Sequence, residues 1–418
     1  MATPRRGPTN RQRMNIYYHT LDNGLRLVHI STISQVAWCG LAVNAGSRDE
    51  TVGKYGLAHF VEHTIFKGTK HRRAWHILNR MERVGGELNA YTTKEGTMLY
   101  TVFPQQHLAR AVDLLADLVQ WSVFPQEELD RERDVVLEEA ASYRDTPSDA
   151  VYDDFEDLLF AGSELGHNIL GRKEDLENIT REDCMNYLKA LYVPCNMAFF
   201  SVGPERPERV FRLAEKYFST MSHEMAPRQR AVPAAVEPFR HTITIGTHQA
   251  HTIVGARVPD MNHPLRHALM LLNNILGGPG MNSLLNVELR ERRGYVYTVE
   301  STLTLLSDCG WMEIYLGCDP DDVRSSLRVM ERITSRLGKD LLPERTLESH
   351  KRQYCGQLTV AADSAEFMAM RAGRGLLYHG QVATIGETIE RIQAVTPDEI
   401  AQAAAYFAAD RLSSLTFQ

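Results

Sequence analysis

The sequence predicts a mixed fold of strands and helices laid out as two similar halves. Three observations carry that prediction. A length of 418 residues exceeds what one ordinary core accommodates and suits two domains of roughly 200 residues each. Short runs rich in β-branched and aromatic residues alternate with stretches of helical periodicity along the whole chain. The order of these elements then restarts after HEMAPRQRAVPAAVEPFRH, residues 223–241, which carries three prolines and little periodicity. This layout, more than any identity of residues, suggests an internal duplication.

Taken in order, YYHTLDNGLRLVHI reads as two strands around an Asp-Asn-Gly turn, Asn-Gly being a hairpin signal. VAWCGLAVNAG is a further strand. It leads into GLAHFVEHTIFKGT, a helix that Gly68 can end as a C′ residue. GELNAYTTKEGTMLYTVFP has the bias of two strands joined by a polar turn, after which HLARAVDLLADLVQ and EELDRERDVVLEEAASYRD turn helical. Beyond the proline-bearing stretch come a strand (HTIVGARVP), two helices (LRHALMLLNNILGG and NSLLNVELRERRG) and two strands (YVYTVESTL and CGWMEIYLGC). Helices DVRSSLRVMERITSRL and PDEIAQAAAYFA follow. The expected organisation is a flexible tail over 1–14, a first domain over 15–222, a linker over 223–241 and a second domain over 242–418.

Composition narrows the function. A net charge of −7 gives no support to a nucleic-acid partner, which usually needs a basic face. No run approaches the ~20 apolar residues that cross a bilayer, so no membrane role is expected. MATPRRGPTNRQRMN lacks the apolar core and cleavage site of a secretory signal. It is free of acids, as organelle transit peptides are, yet Pro4 and Pro8 break the amphipathic helix those need. A bacterial cytoplasm is therefore expected, with the mitochondrial matrix as the alternative. The six cysteines form no C-x-x-C pair and read as reduced, mostly buried thiols rather than metal ligands.

Chemistry concentrates in GLAHFVEHTIFKGT. On a helix, His59, Glu62 and His63 share one face, and imidazoles four apart can reach one Zn²⁺. The segment is otherwise apolar, so its polar side chains need partners. A catalytic zinc needs a third protein ligand and an open fourth position. In ELDRERDVVLEEAASY, Glu128, Glu132, Val135, Val136 and Glu139 fall on a single face. Two valines at its centre argue that Glu132 and Glu139 are carried inward, where a carboxylate requires a cation. His263 and His267 are also four apart, but Pro264 favours placing His263 outside its helix, and no carboxylate lies beside them. They read as ordinary polar residues.

H-x-x-E-H is the inverted form of the metalloprotease motif H-E-x-x-H. With it, NAGSRDE, GGELNAYTTKEGT, FPQEELDRERDVVLEEA, YVPCNMAFFSVG and LGGPGMNSLLNVELRERRGYVYTVES resemble, in order and over most of the chain, blocks of the pitrilysin family of inverzincins. The likeness is strongest to its mitochondrial-processing-peptidase-like branch with bacterial relatives. The resemblance implies two related α+β domains, each an antiparallel sheet covered by helices, forming half of a clamshell. It implies a zinc endopeptidase acting on peptides or unfolded, presequence-like segments. One zinc per chain is held by His59, His63 and Glu139, which stands 76 positions after His63. Glu62 is then the general base on a zinc-bound water and Glu132 a support for the site.

By the same resemblance Arg290 and Tyr297, seven apart, bind the substrate carbonyl and the tetrahedral intermediate. Asn89 and Ala90 lie on an edge strand that pairs with substrate, Phe66 lines the pocket beyond the scissile bond, and Asp149 and Asp153 meet basic substrate side chains. GGPGMNSLL departs from the family pattern by its proline and by Leu284 where arginine is common. Two such domains enclose no chamber alone, so a homodimer is expected, each site combining the metal residues of one copy with Arg290 and Tyr297 of the other. The alternatives are a non-catalytic assembly subunit of the same family or a subunit active only in a heterodimer.

Overall fold

The structure, a computed structural model, describes residues 15–222, 228 and 230–418. The expected tail, and residues 223–227 and 229 of the expected linker, lie outside the described residues. The first half runs β1 (Asn15–Thr20), β2 (Arg26–Ser31), β3 (Val36–Val43), α1 (Leu57–Thr64), α2 (Ala74–Glu82), β4 (Glu87–Thr92), β5 (Thr97–Pro104), α3 (Leu108–Trp121), α4 (Gln126–Arg144), α5 (Pro147–Leu159), α6 (Lys173–Asn178), α7 (Arg181–Leu191), β6 (Met197–Gly203) and α8 (Pro207–Phe218). The second runs β7 (Arg240–Ile243), β8 (Ala250–Val258), α9 (Arg266–Gly277), β9 (Val296–Leu305), β10 (Gly310–Cys318), α10 (Val323–Lys339), α11 (Glu344–Ala361), α12 (Ala365–His379), α13 (Ile385–Ala394), α14 (Pro397–Ala404) and β11 (Ser413–Phe417).

The strands form two sheets, ordered β1-β2-β6-β3-β5-β4 and β7-β11-β8-β10-β9. Without β1 the two orders coincide strand for strand, which is the physical content of the restarting pattern. Each sheet holds one parallel pair, β2 with β6 and β7 with β11, and is otherwise antiparallel. The parallel strand arrives after a long helical excursion, so a hairpin does not dictate its direction.

Both faces of the central strands are covered, which is why β6, MAFFSVG, is buried at every position. Alternate residues serve opposite layers. Phe199 joins the core under α1, α3, α7 and α8, whereas Phe200 joins a second cluster with Val28, Ile30 and Ala42. That second layer comes from the other half: α12 lays Met368, Ala369, Ala372 and Leu376 on it. At Gly373 a Cβ would come within 2.7 Å of the Phe200 ring and 2.8 Å of Met98, so the helix sits this close only with glycine there.

The exchange is reciprocal. α5 sends Val151, Phe155 and Leu159 onto Ile253, Trp311, Tyr315 and Leu415 of the second sheet. The stretch 223–241 thus separates the sheets along the chain, yet a helix from each half completes the other's sheet.

The expected linker gives way to β7 at Arg240 and is tied down before that. Arg228 and Arg230 hold Asp49 at 3.3 and 2.8 Å. The buried Arg48 donates to the Ala231 carbonyl at 2.7 Å and to Glu95 at 2.6 Å. It also grips Asp308, between β9 and β10, through two bonds of 2.7 Å.

Two local expectations differ in detail, and the reading of the cysteines holds. NSLLNVELRERRG winds as a π-helical segment over Asn286–Glu291, a wide turn typical of short stretches. α1 ends at Thr64 and passes through a 3₁₀ turn, Ile65–Lys67, before Gly68. Gly68 has φ 158° and ψ 142° and bridges to Arg73, so it stops the segment without the left-handed cap conformation. Among the described residues no disulfide joins the six cysteines; five are buried and Cys195 is exposed.

Candidate metal centre

α1 has no capping side chain of its own. Its N-cap, Gly56, has φ 93°, and a Cβ there would lie 2.8 Å from the Leu170 carbonyl oxygen, so only glycine fits. The missing acceptor comes from the preceding loop. Glu50, buried, takes the amides of Gly56 at 2.9 Å and Ala58 at 2.7 Å on its two carboxylate oxygens, satisfying donors at the helix start. His167 approaches the same carboxylate at 3.0 Å. Burial pushes the Glu50 pKa well up, the two amides drawing it back, and holds His167 down near 4. Glu50 carries no signal in its own sequence neighbourhood beyond an acid shortly before a helix, and sequence reasoning passed it over.

So anchored, α1 presents His59 and His63 on successive turns with ring centroids 4.5 Å apart. α4 packs across it and supplies the rest. The Glu139 carboxylate lies 3.9 Å from His59 Nε2 and 3.4 Å from His63 Nε2. One ligand atom from each of the three residues falls within 4.8 Å of the others. Among the described residues no second group of three histidine, cysteine or acidic side chains converges in this way.

Glu132, two turns before Glu139, takes His63 Nδ1 at 3.0 Å and Lys67 Nζ at 2.6 Å. With its Nδ1 hydrogen given to Glu132, His63 turns the Nε2 lone pair toward Glu139. The Glu132 hydrogen bond raises the His63 pKa. Burial, with His63 adding to it, takes His59 down to about 4, so its imidazole is neutral near pH 7. His59 Nδ1 is buried and has no hydrogen-bond partner among the described residues.

The donor set fits zinc. Tetrahedral ligands bonded at ~2.1 Å stand about 3.4 Å apart, which the observed 3.4 and 3.9 Å edges approach. Glu62, on the same turns of α1, sits by Thr92 at the end of β4; burial raises its pKa and Thr92 draws it back.

The face of α4 differs from expectation at one residue. Leu129, Glu132 and Val136 are buried, Glu139 is partly so and Glu138 is exposed. Val135, placed inward by its spacing, is 49% exposed. At about 100° per residue it stands roughly 80° from the middle of the stripe made by Leu129, Glu132, Val136 and Glu139, at the margin of the covered face.

The remaining predicted residues are dispersed. Asn89, exposed, and Ala90, half-buried, lie on β4, the terminal strand of the first sheet, which among the described residues pairs only with β5. Phe66 is half-buried at the margin of the first core. Asp149 is exposed on α5, whereas Asp153 accepts Asn168 Nδ2 at 2.6 Å. Arg290 and Tyr297 line a cavity of about 570 Å³ bounded by Gly277–Met281, and none of the three candidate ligands lines it. Arg290 is exposed in the π-helical segment, and the Tyr297 hydroxyl donates to Asp319 at 2.9 Å. His263 precedes α9 and His267 lies inside it, with no third ligand gathered beside them.

Comparison with known proteins agrees with this arrangement. Residues 26–173 match the family model described as insulinase (peptidase family M16), and residues 178–354 the one described as the peptidase M16 inactive domain. An uncharacterized zinc protease of Mycobacterium tuberculosis is 33% identical over 91% of this chain and 88% of its own. The uncharacterized zinc protease YmxG of Bacillus subtilis is 31% identical over 91% and 93%. The mitochondrial-processing peptidase subunit beta of Bos taurus is 29% identical over 94% and 81%. A crystal structure of a protease from Helicobacter pylori superposes with a TM-score of 0.89 at 22% identity, covering 97% of this chain and 99% of that one. A peptidase M16 inactive domain from Pseudomonas fluorescens superposes with a TM-score of 0.90 at 18% identity, over 97% and 98%. The inverted motif on α1, the duplicated sheets and these likenesses over nine-tenths of the sequence lead to one conclusion: the chain belongs to the M16, or pitrilysin, family of peptidases, in its processing-peptidase-like branch.

Proposed function

We propose that the chain is a zinc-dependent endopeptidase acting on peptides or unfolded, presequence-like segments. His59 and His63 through Nε2, and Glu139 through its carboxylate, hold one zinc ion per chain. When bound, zinc supplies an acidified water and a Lewis acid for the scissile carbonyl. The side chains around it do the rest. Glu62 takes the water's proton on its carboxylate and returns it to the leaving amine; a pKa raised by burial suits a general base working near neutrality. Glu132 fixes the His63 tautomer.

Substrate adds its backbone to the open edge of β4 at Asn89 and Ala90, whose last residue, Thr92, adjoins Glu62. Phe66 lines the pocket past the scissile bond, and Asp149 and Asp153 draw basic substrate side chains. Arg290 and Tyr297 act on the substrate carbonyl from a second copy, so the working form is a homodimer. No helix among the described residues is long and apolar enough to cross a membrane; the location we favour is a bacterial cytoplasm.

The observation that carries this reading is the convergence of three ligand atoms within 4.8 Å, with Glu62 one helical position away. Glu62→Gln tests it. The variant is expected to keep one zinc per chain by elemental analysis while hydrolysis of a quenched fluorescent peptide falls at least about 100-fold. Retained turnover, or loss of the metal, would overturn the assigned role.

A further inference from the structure

Arg290 and Tyr297 line one cavity but differ in readiness. Arg292 and Arg293 both pair with Glu288. Among the described residues Arg290 pairs with no carboxylate and donates no side-chain hydrogen bond, so its guanidinium is open to a ligand. Tyr297 is already engaged. Its hydroxyl donates to Asp319 Oδ2 at 2.9 Å.

The backbone explains how the two meet. β9 and β10 are antiparallel, and Thr298 pairs with Gly317 whereas Val296 pairs with Cys318. Tyr297 is thus the extra residue of a β-bulge, a device that bends a strand and re-aims a side chain. The residue is 52% exposed and reaches beyond the end of β10 at Cys318 to the next residue, Asp319.

Asp319 forgoes its ordinary partner. It is the N-cap of the 3₁₀ turn Pro320–Asp322, yet its side chain accepts no amide of that turn. An aspartate so placed commonly takes the amide two or three residues on. The Asp322 amide bonds the Asp319 backbone carbonyl instead, at 3.0 Å. The carboxylate therefore has a second berth within its own turn.

A phenol has one hydrogen to give. While Asp319 holds it, the Tyr297 hydroxyl offers an approaching carbonyl oxygen only lone pairs, with a carboxylate beside them. The bond to Asp319 and that carboxylate's charge raise the Tyr297 pKa, so the hydrogen stays on the phenol near neutral pH. A neutral substrate carbonyl is a weaker acceptor than a carboxylate, whereas the oxyanion of a tetrahedral intermediate carries comparable charge.

We propose that Asp319 is a positioning residue for Tyr297, a latch that keeps the hydroxyl from the substrate carbonyl until the oxyanion forms and draws it away. The vacated carboxylate then caps its own turn. The latch rests on the reading of Tyr297 given above. It makes the tyrosine's contact one that strengthens in the transition state, which is where binding energy accelerates a reaction.

Kinetics of the full-length protein on a quenched fluorescent peptide test the proposal. Asp319→Ala should raise kcat/KM about threefold, the scale of an exposed charged contact, chiefly through a lower KM, because the freed hydroxyl then also binds the ground-state carbonyl. Asp319→Asn, which keeps an uncharged acceptor, should fall between the two. In a Tyr297→Phe background Asp319→Ala should bring no gain, since no hydrogen remains to be released. In fluorotyrosine-labelled protein the Tyr297 resonance, assigned by its loss in Tyr297→Phe, should titrate at lower pH once Asp319 is replaced by alanine. No hydrolysis by the wild-type protein would overturn the peptidase reading and the latch with it. Hydrolysis that Asp319→Ala leaves unchanged or slows, an equal gain without the Tyr297 hydroxyl, or an unshifted titration would overturn the latch alone.

Discussion

The two ring nitrogens of His63 are not equivalent, and Lys67 is part of the reason. By pairing with one oxygen of Glu132 at 2.6 Å it leaves the other oxygen to receive Nδ1–H, so Nε2 is presented as a lone pair. Lys67→Met should free Glu132 to rotate and weaken zinc binding by about 10-fold, whereas Lys67→Arg should restore most of it. Zinc competition against a chromophoric chelator reads both, and equal affinities for all three proteins would assign Lys67 no part. Glu132 was legible in the sequence because it shares a stripe with Glu139. Lys67 was not: a lysine three residues past a helix looks like any solvated surface charge until the fold brings Glu132 over it.

α1 is only eight residues long, too short to be stable alone, and its position depends on what grips its ends. Glu50 holds the first. Glu50→Ala orphans two amides, each worth about 1–3 kcal/mol when buried, and should lower the chemical-denaturation midpoint and zinc affinity together. Loss of stability with zinc affinity intact would mean that the cap does not position the histidines. Periodicity and turn signals located β1 to β5, α3, α4 and α9 because each states its own pattern over many residues. They misjudged Val135 because spacing gives a stripe's direction but not its width, and Val135 stands at the stripe's exposed margin. They also could not see Glu50 as a cap, since the contact joins a loop to a helix whose own N-cap is glycine.

At the scale of the molecule, the halves are joined by trading helices and by Arg48, which ties Glu95 and Asp308 across them. The duplication showed in sequence as order of elements. The exchange of α5 and α12 did not, because an apolar helix stripe does not say which sheet it covers. One such two-sheet unit keeps Arg290 and Tyr297 in a cavity apart from the metal ligands, and the proposed homodimer brings them to a neighbour's site. Mixing inactive Glu62→Gln with inactive Arg290→Ala chains should then recover about a quarter of wild-type turnover as subunits exchange, from one intact site in half of the dimers. No recovery under exchange would mean that the arginine serves its own chain.

The central claim is that α4 completes the metal site through Glu139, with its neighbour Glu138 turned to solvent. The zinc dissociation constants of Glu139→Gln and Glu138→Gln, measured side by side against wild type, test it most directly. Weakening well beyond about 10-fold at Glu139 with near-native affinity at Glu138 is the predicted result; equal effects, or a larger one at Glu138, would contradict the account.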